Sequence, residues 1–308
     1  MGLPVLSLQV LRTLELEKTD GKCYFSAASG MWVENDTLFV VADDELELGV
    51  FALHSQQPGQ TLTIIPEQLP DDLKQRKQQK PDFESLTRLP ASSRYPHGAL
   101  IALGSGSTQQ RKQGMLWPFL AGGKLAAAPQ LFPLQALYGP LEEKFADLNI
   151  EGLTIQGDCF KLWQRGNNLN PRSAVAEYRL DDLYGLLDAQ AGVADMLPQH
   201  IEHYDLGLAG GVPLTFTDAF ALEDGRCLFT AVAENTDDSY RDGECVGAAI
   251  GLIDENRQLQ GIWSVEPVHK IEGISVQKVA DGRLQVLLVT DADDPQVPAL
   301  LLETWLPM

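Results

Sequence analysis

The chain has 308 residues, with 23 Lys and Arg against 43 Asp and Glu, and its 44% hydrophobic and 21% charged content is that of a folded globular protein rather than a disordered one. The formal net charge of −20 argues against nucleic acid or anionic membrane as the main partner, because the general field repels phosphate, and it suits a bound cation. No run approaches the roughly 18 apolar residues of a membrane-crossing helix, and the first 17 residues lack a basic segment followed by an apolar block. A cytoplasmic location is therefore expected, although a trimmed secreted chain would read the same.

Taken in chain order, residues 6–17 alternate as a strand. Ala28-Ser29-Gly30-Met31-Trp32 then opens a unit that continues through the turn Glu34-Asn35-Asp36, a second strand at 37–43, a third at 49–53 and an outer one at 61–65. Residues 71–81 are polar and rich in Lys and Gln, and read as a solvated loop. The unit recurs at Phe83-Glu84-Ser85-Leu86-Thr87, with strands at 99–105, 114–120 and 130–134. It recurs at Ile150-Glu151-Gly152-Leu153-Thr154, with the turn Gln156-Gly157-Asp158 and strands at 160–168, 174–180 and 201–208. Within that third unit, residues 180–197 read helical, with apolar side chains at Leu183, Leu186, Leu187, Val193 and Leu197. Thr217-Asp218-Ala219-Phe220-Ala221 begins a fourth unit (turn Glu223-Asp224-Gly225, strands at 227–235, 248–253 and 261–265). Ile271-Glu272-Gly273-Ile274-Ser275 begins a fifth (turn Ala280-Asp281-Gly282, strands at 284–291 and 299–305).

Aligned at positions 29, 84, 151, 218 and 272, the motifs fall 55, 67, 67 and 54 residues apart, and the path from Glu272 through the C-terminus and round to Ser29 is 65. A repeat of similar length that closes through both ends describes a β-propeller of four-stranded blades. The expectation is a single all-β domain over residues 1–308, a five-bladed propeller in which residues 6–17 form the outermost strand of the C-terminal blade. A six-bladed propeller is the alternative, but a sixth blade needs a gap near twice the repeat and none exists.

Blade geometry converts the repeat into a site. The first strand of each blade lines the central channel, so Ser29, Glu84, Glu151, Asp218 and Glu272 form a ring, and the second-strand ends add Asp43, Asp44, Ser105, Arg165, Asn167, Asn168, Glu234, Asn235, Asp291, Asp293 and Asp294 at the same mouth. Carboxylates at short range raise one another's pKa, and a bound cation relieves this; an all-oxygen donor set selects Ca²⁺ or Mg²⁺. Glu84, Glu151, Asp218 and Glu272 are the expected ligands. An acid repeated once per blade also suits an architectural role, accepting hydrogen bonds from the backbone of the next blade. Arg165 is the cation among the second-strand ends and suits an anionic substrate group or a salt bridge to a ring acid. Cys23, Cys159, Cys227 and Cys245 form no C-x-x-C pair and no zinc spacing.

The Ile-Glu-Gly-Leu-Thr and Ile-Glu-Gly-Ile-Ser copies, with Asp82-Phe83-Glu84-Ser85-Leu86-Thr87 and the closing Val289-Thr290-Asp291-Ala292-Asp293-Asp294-Pro295, resemble the phytase-like ("esterase-like") β-propeller family. More distantly they are similar to calcium-dependent propeller lactonases and phosphotriesterases. The resemblance implies a propeller with an acidic channel and often calcium; Ser29 and Asp218 depart from its glutamate pattern. Two functions follow as expectations. One is a metal-assisted hydrolase of a small ester, lactone or phosphoester, with Glu151 and Glu272 as ligands or base and Arg165 orienting an anionic group. The other is a non-catalytic propeller that binds a small ligand or a protein across its mouth.

Overall fold

A computed structural model describes residues 3–19, 22–188, 194–237, 243–280 and 282–307. Five antiparallel sheets follow one another in sequence order, each built outward from a first strand at Ala28–Glu34, Phe83–Leu89, Ile150–Gln156, Val212–Ala221 or Ile271–Ala280. These first strands contact their neighbours in turn, and the first strand of blade V returns to that of blade I. The molecule is a five-bladed propeller, which excludes the six-bladed alternative. Among the described residues no helix is long and apolar enough to cross a membrane.

The ring closes through both ends of the chain, with a correction to the expected strand. Residues 6–17 are divided among three places. Val5–Ser7 runs parallel to Leu259–Glu266 on the outside of blade IV, Gln9–Thr13 is the antiparallel outer strand of blade V against Leu300–Pro307, and Glu15–Thr19 pairs antiparallel with Lys22–Tyr24. The break is physical: Leu8 N–H still donates to Glu266 O of blade IV, and the chain then steps across to blade V. Arg12, 4% exposed, reaches into blade I and donates to the carbonyls of Ala52, Ser55 and Gln57.

The apolar alternation packs between blades, where second and third strands face their neighbours. Leu89, Ile101, Leu103 and Leu116 of blade II share one cluster with Ile150, Leu153, Phe160 and Tyr178 of blade III. Two insertions differ from expectation. Residues 71–81 hold a helix, Leu73–Gln79, capped by Asp72, whose carboxylate accepts from Gln75 N–H at 2.9 Å. Lys and Gln are good helix formers, and the anchor is Arg76, which donates to Asp44 O and pairs with Glu45. The second helical segment is described over Leu180–Asp188, with Leu183 and Leu186 buried, and residues 194–197 are not helical; Val193 lies outside the described residues, as does Asp281 of the last turn. A helix at Gln135–Glu142, absent from the sequence reading, packs Leu137, Tyr138 and Leu141 into the blade II–III cluster.

Candidate functional site

Each first strand carries a bulge at its channel end. The pairing with the second strand skips Ser29, Glu84, Glu151 and Glu272 in blades I, II, III and V, so these side chains are released from the ladder. In blade IV the skipped residue is Thr217 and not Asp218, which pairs with Thr230. The sequence alignment is thus one residue out in this blade, and a shift of one sends a strand side chain to the opposite face. Asp218 does not line the channel mouth. Buried at 2% exposure, its Oδ2 accepts from Ile274 N–H of blade V at 3.0 Å, and it fastens blade to blade. Thr217 takes the ring position and spends its hydroxyl on Ile271 O at 2.7 Å.

The same register explains the glycine that follows the skipped residue in blades I, III and V. A Cβ on Gly30 would lie 2.7 Å from Leu86 N, and one on Gly273 would lie 3.2 Å from Met31 N, so these positions let the first strands of adjacent blades meet backbone to backbone. Ser29 is also spent on the fold, accepting from Asp43 N–H at 3.0 Å and donating to Ala27 O.

At the mouth is a cavity of about 60 Å³, lined by nine carboxylates and five cationic side chains, with no aromatic or aliphatic side chain on its wall. Three of the ring acids, Glu84, Glu151 and Glu272, face it, as do Asp43, Glu234, Asp291 and Asp293 from the second-strand ends. Arg165 donates to Glu151 Oε1 at 3.3 Å and to Glu234, and lies 3.8 Å from Glu272 Oε1, tying blades III, IV and V. Lys270 reaches Asp293 at 2.5 Å, Glu272 at 3.5 Å, and Asp291 and Glu234 at 3.9 Å. Of the other second-strand ends, Asn168 donates to Asn235 and Asp294 accepts from Gln296 N–H at the rim.

Several lining residues were missed by the sequence reading. Lys80, from the segment read as a solvated loop, is 7% exposed and pairs with Asp43 and with Asp82, at 2.9 Å for the latter. Asp82 in turn meets Arg111 at 2.8 Å and accepts from Ser105 Oγ at 2.5 Å. Asn149 donates to Glu151 Oε1 at 2.5 Å. A signal for Asp82 and Asn149 was present: like Lys270, which the sequence already offered as a cation of the mouth, each stands two residues before the bulged acid, and strand alternation puts that position on the same face.

The charges sort the acids into two kinds. Burial pushes the carboxyls of Glu272, Glu84 and Glu151 upward, with Arg165 and Lys270 working against it at Glu151 and Glu272. Burial likewise raises Asp291, to about 7. Asp82 moves the other way: burial opposes its charge, but Lys80, Arg111 and Ser105 together hold it below the usual carboxylate range. Neither oxygen of Glu272 has a hydrogen-bond partner, although the residue is 4% exposed.

A calcium ion takes six to eight oxygens, and the four acids expected as ligands do not supply such a set. Asp218 faces away, Glu151 and Glu272 have Arg165 beside them, and Glu84 belongs to a trio with Asp43 and Asp82 whose oxygens lie within 4.8 Å of one another and which already holds the Lys80 ammonium.

Solved structures with a similar fold include a luciferin-regenerating enzyme (9% identity over 98% of this chain and 97% of that one, TM-score 0.49) and a glutaminyl cyclase from Myxococcus xanthus (10%, 100% and 100%, TM-score 0.49). A putative glycoside hydrolase from Parabacteroides distasonis is a third (14%, 96% and 93%, TM-score 0.48). At these values the likeness carries no argument about function. No curated protein matches the sequence significantly. The propeller expected from the motifs stands, whereas the phytase-like family they resemble is not the one that matches. The model of a family of unknown function, DUF6929, matches residues 24–306, and the chain belongs to that family.

Proposed function

We propose that the channel mouth is the active site of a hydrolase for a small, hydrophilic ester, lactone or phosphoester, with Glu272 as its acid–base group and Arg165 and Lys270 as its electrophilic support. The observation that carries this reading is the state of Glu272. A buried carboxylate that accepts no hydrogen bond, its Oε1 met only by the longer ion pairs to Lys270 and Arg165, forgoes about 1–3 kcal/mol of hydrogen bonding, and native proteins satisfy such groups unless they serve a ligand or a reaction. Burial raises its pKa, which suits a group that takes up and returns a proton during the reaction. In this reading Glu272 takes a proton from water as the water oxygen attacks the carbonyl or phosphoryl centre. Arg165 and Lys270, at 3.8 and 3.5 Å from Glu272 Oε1, stand where negative charge develops on the reacting oxygen. The proton then passes to the departing alkoxide. Glu151 holds Arg165 in place rather than meeting substrate.

The wholly polar wall favours substrates without aryl or long acyl groups. The test is a panel of short-chain esters, lactones and phosphoesters, assayed with calcium and with chelator on the wild type, Glu272→Gln and Glu151→Gln. Turnover should fall by about 10²–10⁴-fold in Glu272→Gln with circular dichroism unchanged. Absence of turnover across the panel would sink the hydrolase reading. A second reading then applies, favoured by the cavity volume: 60 Å³ is well below the roughly 300–1,000 Å³ of sites that engulf larger ligands, so the mouth would hold a small polar ligand without reaction.

A further inference from the structure

We infer that Lys80, Arg165 and Lys270 are the resident cations of the channel mouth, bridging acids of different blades in the places a divalent metal ion would take, so that the blades are joined at the mouth without metal. This goes beyond the hydrolase reading and does not depend on it.

Lys80 makes the case most directly. Asp43 of blade I and Asp82 and Glu84 at the start of blade II bring carboxylate oxygens within 4.8 Å of one another, a spacing in which three oxygens can share one ion. The ammonium of Lys80 already bonds two of the three acids, Asp43 and Asp82. The other Asp82 oxygen is taken by Arg111 and Ser105, so an incoming ion would meet two fixed positive charges and few open lone pairs. The chain delivers this lysine deliberately. It stands immediately after the Leu73–Gln79 helix, its N–H donating to Arg76 O at 2.9 Å, and the helix is anchored on blade I by Arg76 and capped by Asp72. Burial works against the ammonium, and Asp43, Asp82 and Glu84 outweigh it and keep it charged.

The other two cations repeat the pattern. Arg165 joins Glu151, Glu234 and Glu272 from three consecutive blades, and Lys270 joins Glu234 of blade IV to Glu272, Asp291 and Asp293 of blade V. A tethered cation does the neutralising work of a bound ion without depending on ion concentration, since it cannot dissociate from the chain.

Thermal unfolding of the full chain in chelator and in millimolar calcium or magnesium tests this, on the wild type, Lys80→Met and the double variant Lys80→Met/Asp43→Asn. The wild-type midpoint should be the same in both media. Lys80→Met should unfold at a lower temperature in chelator and recover part of the loss with calcium, and the added Asp43→Asn should abolish that recovery. A wild-type midpoint that climbs with calcium overturns the inference, as does a Lys80→Met protein as stable as wild type in chelator, or one that calcium fails to help. Metal analysis of the purified wild type is the arm that needs no variant to fold. Stoichiometric calcium or magnesium overturns the inference, and sub-stoichiometric metal supports it.

Discussion

Asp218 offers the sharpest separation of architecture from chemistry, because a reading by repeat places it in the channel and the bulge places it between blades. Replacing it with alanine removes the acceptor of Ile274 N–H, a bond of 3.0 Å at a residue that is 1% exposed. A buried donor left unmade costs about 1–3 kcal/mol. With an unfolding entropy of about 2.1 cal/mol/K per residue, a chain of this length shifts its midpoint by roughly 1.5 °C per kcal/mol, so Asp218→Ala should melt about 2–5 °C lower. Asp218→Asn keeps an acceptor oxygen in the same position and should stay within about 1 kcal/mol of wild type. Burial already pushes the Asp218 carboxyl upward, so loss of charge there is cheap. Urea unfolding followed by circular dichroism, alongside any activity found for the wild type, measures both sides. The reasoning is refuted if Asp218→Ala is as stable as wild type. It is equally refuted if Asp218→Asn is as damaging as alanine, since the charge and not the accepted hydrogen bond would then matter.

Two further outcomes follow from the fold and its charges. Deleting residues 6–17 removes the outer strand of blade V and the Arg12 bonds to blade I, exposes the edge of Leu300–Pro307, and should abolish cooperative melting; a truncated chain that melts like the full one would disprove closure by this strand. Asp291 binds its proton more tightly when folded, with a pKa of about 7 against 3.8 unfolded, so its contribution to stability is fully present below 3.8 and is lost as pH rises through about 7. The size is of the order of 4 kcal/mol, and Asp291→Asn should flatten that part of the stability profile between pH 4 and 8; an unchanged profile would show that Asp291 is ionised throughout.

Much of the site was legible because it repeats. The acid of Ile-Glu-Gly marked the bulge in blades III and V, and the polar ends of the second strands marked the mouth, as the positions of Glu151, Glu272, Arg165, Glu234 and Asp291 bear out. Blade IV misled because Thr217-Asp218 offers an acid one place beyond the bulge, and nothing in composition distinguishes a side chain facing the channel from one facing the next blade. Lys80 was hidden for another reason. Its neighbours Lys74, Lys77, Gln78 and Gln79 look like a solvated stretch, and only the clamp of Arg76 on Asp44 and Glu45 turns that stretch so that its last lysine enters the mouth.

The sequence by itself determined the number of blades, the order of strands and the closure through both ends, because alternation and repeat length are local properties written along the chain. Only the tertiary structure decided which acids share a space and what neutralises them. Charge balance depends on distances of about 3–4 Å between residues tens to hundreds of positions apart, as from Arg111 to Asp82 or from Arg165 to Glu272. At that range a one-residue bulge or one helical turn determines whether an acid serves the fold or the site.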